Sequence, residues 1–201
     1  MLHALSMRCL LGIDPGLTGA VAVYWHEMPY VPTTPPWTVY DTPTTVVRVG
    51  TGQRQAYLEG SMVDLLESIC DLADSPRNLM AGLERVQAMP ARNPDGSPRS
   101  MGAASAFNMG CGFGLWRGML SALGISYRLV APISWKSHFG LRGKGQLGGD
   151  SRVVVQQRLP AMSDAVARKK DHGRADALLI ALYLHELYES DRALTPTRAL
   201  P

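Results

Sequence analysis

The feature that most limits the fold is a short apolar run, Cys9 to Ile13, that stops at Asp14-Pro15-Gly16 and resumes from Gly19 to Trp25. Two apolar strands around a tight turn read as a hairpin, with a carboxylate left where the first strand ends. Downstream, Leu58, Met62, Leu65, Leu66, Ile69 and Leu72 recur at three and four residues, so Tyr57 to Leu72 reads as a helix with one face on a core, closed by Ser75-Pro76. Leu79 to Val86 reads as a buried strand and Pro90 to Pro98 as an exposed loop. Ala103 to Leu123 is a helix whose small residues admit a close neighbour, and Ile125 to Val130 is a further strand. A short helix from Pro132 to Trp135, a glycine-rich loop from Gly140 to Gly149, and helices over Ser151 to Leu159 and Arg174 to Tyr188 complete the chain. Between the hairpin and the first helix, Trp37 to Tyr40 and Thr45 to Val49 lean towards an edge strand in proline-rich surroundings. The alternation implies an α/β domain with a mixed sheet covered by helices on both faces.

Length and composition narrow the class. With 201 residues, 46% hydrophobic and 18% charged, the chain reads as one folded domain over 1–190 followed by a polar tail over 191–201. A net charge of +3 permits nucleic-acid binding without demonstrating it. Cys9, Cys70 and Cys111 are odd in number and lack metal-ligand spacing, which argues against a disulfide framework or a zinc–thiolate site. No apolar run reaches the roughly 18 residues of a membrane helix, and no signal peptide is legible, so the expectation is a cytoplasmic protein without a membrane partner.

Three acids carry the chemistry. Asp14 ends a strand, Glu84 interrupts an apolar run where a carboxylate is costly unless a cation or proton neutralises it, and Asp176 opens the last helix beside Ala177, Leu178 and Leu179. Asp14 alone is an ordinary turn residue and Asp176 alone an ordinary helix-start acid. Glu84 has few bland explanations beyond a salt bridge to Arg85 or Arg174. Oxygen ligands brought from strand ends and a helix start suit two Mg²⁺ ions, with which phosphodiesters are hydrolysed without a protein nucleophile.

Gly12-Ile13-Asp14-Pro15-Gly16 with Gly19, Leu83-Glu84, Ala131-Pro132 through Trp135-Lys136, and Ala175-Asp176-Ala177-Leu178 resemble, in order and spacing, the RuvC family and especially its phage-type branch. The resemblance covers most of the chain. It implies a ribonuclease H-like fold with a mixed five-stranded sheet, a homodimer, and symmetric nicking of four-way DNA junctions with Mg²⁺, or Mn²⁺ in its place. It also implies that Asp14 bridges the metals, that Glu84 and Asp176 complete the cluster, and that Lys136 lies near the cleaved phosphate.

The match departs in two places. Bacterial members carry an acid three residues before the one at Asp176, where this chain has Gly173. In a continuous helix Asp171 would point about 140° from Asp176 and His172 would lie within about 40° of it. Were the helix to start later, Asp171 could fold back, and a carboxylate is the better Mg²⁺ ligand; Asp171 is the first choice, with His172 next. The lysine that family members often place before the penultimate helix is also missing, leaving Arg152 or Lys144 as substitutes. Arg92, Arg99, Lys136, Arg142, Lys144, Arg152 and Arg174 fall in loops and helix starts around the acids, as phosphate ligands would. The helix over Ala103 to Leu123 is the interface candidate for a dimer. Rival readings are a broader flap or branch endonuclease, a DNA-binding module without activity, and an actin-like phosphotransferase, the last weakened by the absence of a second phosphate loop.

Overall fold

The computed structural model describes residues 9–26, 36–86, 91–92, 98–99, 102–141 and 149–194. Strands β1 (Cys9–Asp14), β2 (Ala20–Trp25), β3 (Trp37–Asp41), β6 (Leu79–Glu84) and β9 (Ser126–Val130) form one sheet in the order β3-β2-β1-β6-β9. Strand β2 runs antiparallel to both β1 and β3, while β1, β6 and β9 are mutually parallel, so the sheet is mixed as expected. Helices α1 (Glu59–Leu72) and α2 (Ala103–Ala122) cover one face; α3 (Pro132–His138), α4 (Ser151–Arg158) and α5 (His172–Leu194) cover the other.

The period of two along a strand divides β1 between these layers. Cys9, Leu11 and Ile13 pack with Met62, Leu66, Trp116 and Leu120, whereas Leu10 joins Leu178, Leu179 and Ala181 of α5. Continuing that alternation, Gly12 and Asp14 lie on the α5 side. At Gly12 an added Cβ would stand 2.1 Å from the Ala177 carbonyl oxygen and 2.4 Å from the Ala181 nitrogen. Only glycine lets the central strand and α5 approach so closely, and this brings the start of α5 down to the strand ends.

Several boundaries differ from those expected. Thr44–Val49 is not part of the main sheet; as β4 it pairs with β5 (Gly52–Tyr57) in a separate exposed hairpin. The sequence GQRQAY offers no apolar face, so its strand is made by pairing and not by burial. Tyr57 therefore ends a strand, and its hydroxyl donates to the Pro15 carbonyl at 3.0 Å, fixing the turn after Asp14. Within the expected Pro90 to Pro98 loop, β7 (Ala91–Arg92) pairs with β8 (Pro98–Arg99). Helix α5 starts at His172, two residues before the expected Arg174, behind a 3₁₀ turn over Lys169–Asp171.

Candidate active site

Parallel pairing of β1 with β6 matches Gly12 to Gly82 and Ile13 to Leu83, so the next residues in register, Asp14 and Glu84, emerge side by side at the strand ends. Both follow the glycines onto the face covered by α5. Asp176 reaches them from the first turns of that helix. Burial raises the Asp14 carboxyl to about 6, helped by the charge of Asp176. Burial, then Asp14, raises Glu84 to about 7, and burial raises Asp176 as well. The Lys136 ammonium opposes the rise at each of the three. Its Nζ stands 4.9 Å from the centre of the Trp135 ring. Trp135 is fully buried, and its Nε1 donates to Glu84 Oε1 at 3.1 Å.

Beside the acids opens a cleft of about 570 Å³ lined by Lys136, Asp150, Arg152, Lys169, His172 and Asp176, among others. His172 precedes Asp176 by one helical turn on the same face, close enough for its imidazole to counter the rise at both Asp14 and Asp176. Arg152 grips Asp150 through two guanidinium nitrogens at 3.1 and 2.5 Å while remaining on the cleft wall.

Asp171 is elsewhere. It is 4% exposed, and Arg168 binds it through the backbone N–H at 2.8 Å and through the guanidinium at 2.8 to 3.2 Å. These bonds hold its carboxyl low, at about 2, and it lines a second cavity, of about 240 Å³, with Thr18, Asp41 and Gln55. The expected first choice for a fourth ligand is thus not brought to the acids. The 3₁₀ turn delivers Asp171 to Arg168, and the helix begins early enough to put His172 over Asp176. Arg174 is also turned away: its guanidinium is paired with Asp41 at 2.5 and 2.6 Å and donates to the Ala165 carbonyl. Neither arginine alternative for Glu84 is needed there, since the indole of Trp135 is its bonded partner. Arg92 and Arg99 lie in the short β7–β8 ladder, while Arg142 and Lys144 lie outside the described residues.

Gly173 explains the departure from the resembled pattern. A Cβ there would stand 2.1 Å from the Thr18 carbonyl oxygen and 2.9 Å from Gly19 Cα, so no side chain fits. The start of α5 is wedged against the β1–β2 turn, and that contact replaces an acid.

Comparison with known proteins gives a matching signal of limited reach. No family model matches the chain. Over 71 residues, 35% of the chain, it is 37% identical to the chloroplastic Holliday junction resolvase MOC1 of Chlamydomonas reinhardtii. The chain spans only 8% of that relative's length. Among solved structures, T. thermophilus RuvC in complex with a Holliday junction substrate superposes with a TM-score of 0.48 at 14% identity, covering 92% of this chain and 96% of that one. A second structure of Thermus thermophilus RuvC gives a TM-score of 0.44 at 16% identity, with the same coverage.

The residues of the site suit hard divalent cations. Asp14, Glu84 and Asp176 make no ion pair with a described cation, although burial and their mutual repulsion disfavour three negative charges. Their oxygens do not converge into one group within 4.8 Å, as ligands of a single ion would. Sequence reasoning missed two members of this neighbourhood. Asp150 caps α4 by accepting from the Arg152 N–H at 3.0 Å and acts on Asp176. Buried Ser151 donates to the Asp176 carboxylate. The signal available for Asp150 was its N-cap position three residues before the apolar run Val153-Val154-Val155, of which Val154 and Val155 are buried.

Proposed function

We propose that this protein is a Holliday junction resolvase, an endonuclease that nicks four-way DNA junctions with the help of divalent metal ions. The observation that carries the reading is the placement of Asp14 and Glu84 on adjacent parallel strand ends with Asp176 over them, all three without an ion-pair partner among the described residues and held above the ordinary carboxylate range. The partial identity to a resolvase is consistent with it. Asp14, Glu84 and Asp176 would hold two Mg²⁺ ions, or Mn²⁺, with His172 as the further ligand in place of Asp171. When bound, such ions activate water and stabilise the leaving oxygen in phosphodiester hydrolysis.

The chain's own side chains do the rest. Glu84 is oriented by the Trp135 indole and Asp176 by the Ser151 hydroxyl, so neither carboxylate must reorganise when a cation arrives. Lys136, held over Trp135 and facing all three acids, would bind the phosphate to be cut. Lys169 and Arg152 on the cleft wall would meet neighbouring phosphates, and Arg92, Arg99, Arg142 and Lys144 would extend that contact along the strands. Arg174, engaged by Asp41, would act by fixing the start of α5 against β3.

Two equivalent strands of a junction are cut most simply by a symmetric homodimer. Helix α2 is the proposed interface: Trp116 and Leu120 face the core, while Phe107 is 74% exposed. No helix among the described residues is long and apolar enough to cross a membrane, and action on DNA in the cytoplasm is part of the same proposal. The test is cleavage of a labelled four-way junction beside matched linear duplex, with Mg²⁺ and with chelator. Paired, metal-dependent nicks at the branch are expected. Equal cutting of linear duplex would keep the nuclease and reject the substrate, favouring a broader branch endonuclease if flaps are cut as well.

A further inference from the structure

The opposite end of α5 holds a second cluster that the acid site does not use. His26 follows the last residue of β2, and His185 and Glu189 stand one turn apart on α5, so all three side chains meet where the strand leaves the sheet. One ring nitrogen of each histidine and one carboxylate oxygen of Glu189 all lie within 4.8 Å of one another. Among the described residues this is the only such group of three. Its members converge without satisfying each other. His26 Nε2 stands 3.8 Å from Glu189 Oε1, beyond hydrogen-bond reach, and the buried His185 Nδ1 has no hydrogen-bond partner among the described residues.

The rings are held in place from behind. Tyr24 lies against His185 with ring centres 4.5 Å apart, Trp37 backs Tyr24 at 4.4 Å, and Tyr188 meets His26 edge-on at 6.1 Å. This aromatic wall limits how the imidazoles can turn, and the side chains of His26 and Glu189, 19% and 45% exposed, leave an entry from solvent.

We infer that His26, His185 and Glu189 form a binding site for a transition-metal ion of the Zn²⁺ class. Two imidazoles and one carboxylate are a borderline-soft donor set that suits Zn²⁺, whereas Mg²⁺ prefers oxygen ligands and water. Bonds of about 2.0–2.1 Å require the ligand atoms to draw somewhat closer, a movement that the half-exposed Glu189 side chain supplies by rotation. Three protein ligands leave a fourth position for water. His185 lies thirteen residues along α5 from His172, about 20 Å at 1.5 Å per residue, so the site is separate from the acid cleft. A bound ion would staple the end of β2 to the second half of α5.

The inference stands independently of the proposed nuclease activity. The experiment is calorimetric titration of Zn²⁺ into the full chain, stripped with chelator and then returned to excess Mg²⁺, for wild type, His26→Ala, Glu189→Gln and Asp14→Asn. Wild type and Asp14→Asn should bind one equivalent alike, with affinity at least about tenfold weaker in His26→Ala and Glu189→Gln. Circular dichroism checks that each variant is folded, and Glu189→Gln, at an exposed position, serves if His26→Ala is not. The site is overturned if wild type takes up no stoichiometric Zn²⁺, if both cluster variants bind as wild type does, or if Asp14→Asn alone loses binding.

Discussion

Asp171 and Asp176 are five positions apart in the chain, and the two carboxylates live in opposite electrostatic worlds. Asp171 is buried but answered: Arg168 supplies backbone and guanidinium donors, Arg174 and Asp41 extend the network, and the carboxyl is held at about 2. Asp176 is half-buried beside Asp14 and Glu84, with no ion-pair partner among the described residues, and desolvation pushes its carboxyl up. A buried acid with matched donors stabilises a fold; a buried acid left beside its like stores a demand for a cation. The contrast distinguishes a structural aspartate from a site aspartate where sequence position could not.

The largest effect that would break this contrast is on chemistry. Asp14→Asn, Glu84→Gln or Asp176→Asn should each lower junction cleavage by about 10³-fold, by removing the charge that stabilises the transition state through the metal ions. The same variants should melt at equal or higher temperature than wild type in chelator, because each relieves repulsion among buried charges. A variant that lost activity and stability together would move that acid into the structural group.

Next come two changes on the structural side. Gly173→Ala forces a methyl against the Thr18 carbonyl and should cost about 1–3 kcal/mol in urea unfolding. Asp171→Ala leaves the half-exposed Arg168 without its acceptor and should cost about 1–2 kcal/mol, with cleavage by the folded protein retained.

The smallest effect is on pH dependence, and the two regions should titrate with opposite sign. Folded Asp14 and Glu84, at about 6 and 7, keep protons that the unfolded chain, at 3.8 and 4.5, has already released. Metal-free protein should therefore lose stability as pH rises through that window and level off above it. Asp171 does the reverse: its contribution is complete above 3.8 and is lost only as pH falls towards about 2. Melting temperatures between about pH 5 and about pH 8 should show the first slope in wild type, a flatter one in Asp14→Asn, and a reduced one with saturating Mg²⁺.

What the residues disclosed in advance follows the same division. Strands β1, β2 and β6 were legible because burial on both sheet faces makes them nearly continuous apolar runs, and helix α1 because burial of one face gives its apolar residues a period. The sequence of β5 shows no such period, and its pairing with β4 depends on tertiary context. The three acids could be marked because a glutamate within LMAGLE, or an aspartate before ALLIAL, breaks an apolar rule. Asp171 misled because charge type was weighed without knowing where α5 begins. One residue of helix start decides which of Asp171 and His172 faces the cleft, and the wedge of Gly173 under Thr18 that sets it is a long-range contact.

The most direct measurement is the nick pattern of a labelled four-way junction with Mg²⁺ for wild type, Asp14→Asn and Asp171→Asn side by side. Paired nicks at the branch with wild type and Asp171→Asn, and none with Asp14→Asn, are the predicted result. Cleavage that survives Asp14→Asn but is abolished in a folded Asp171→Asn protein would contradict the assignment of the site.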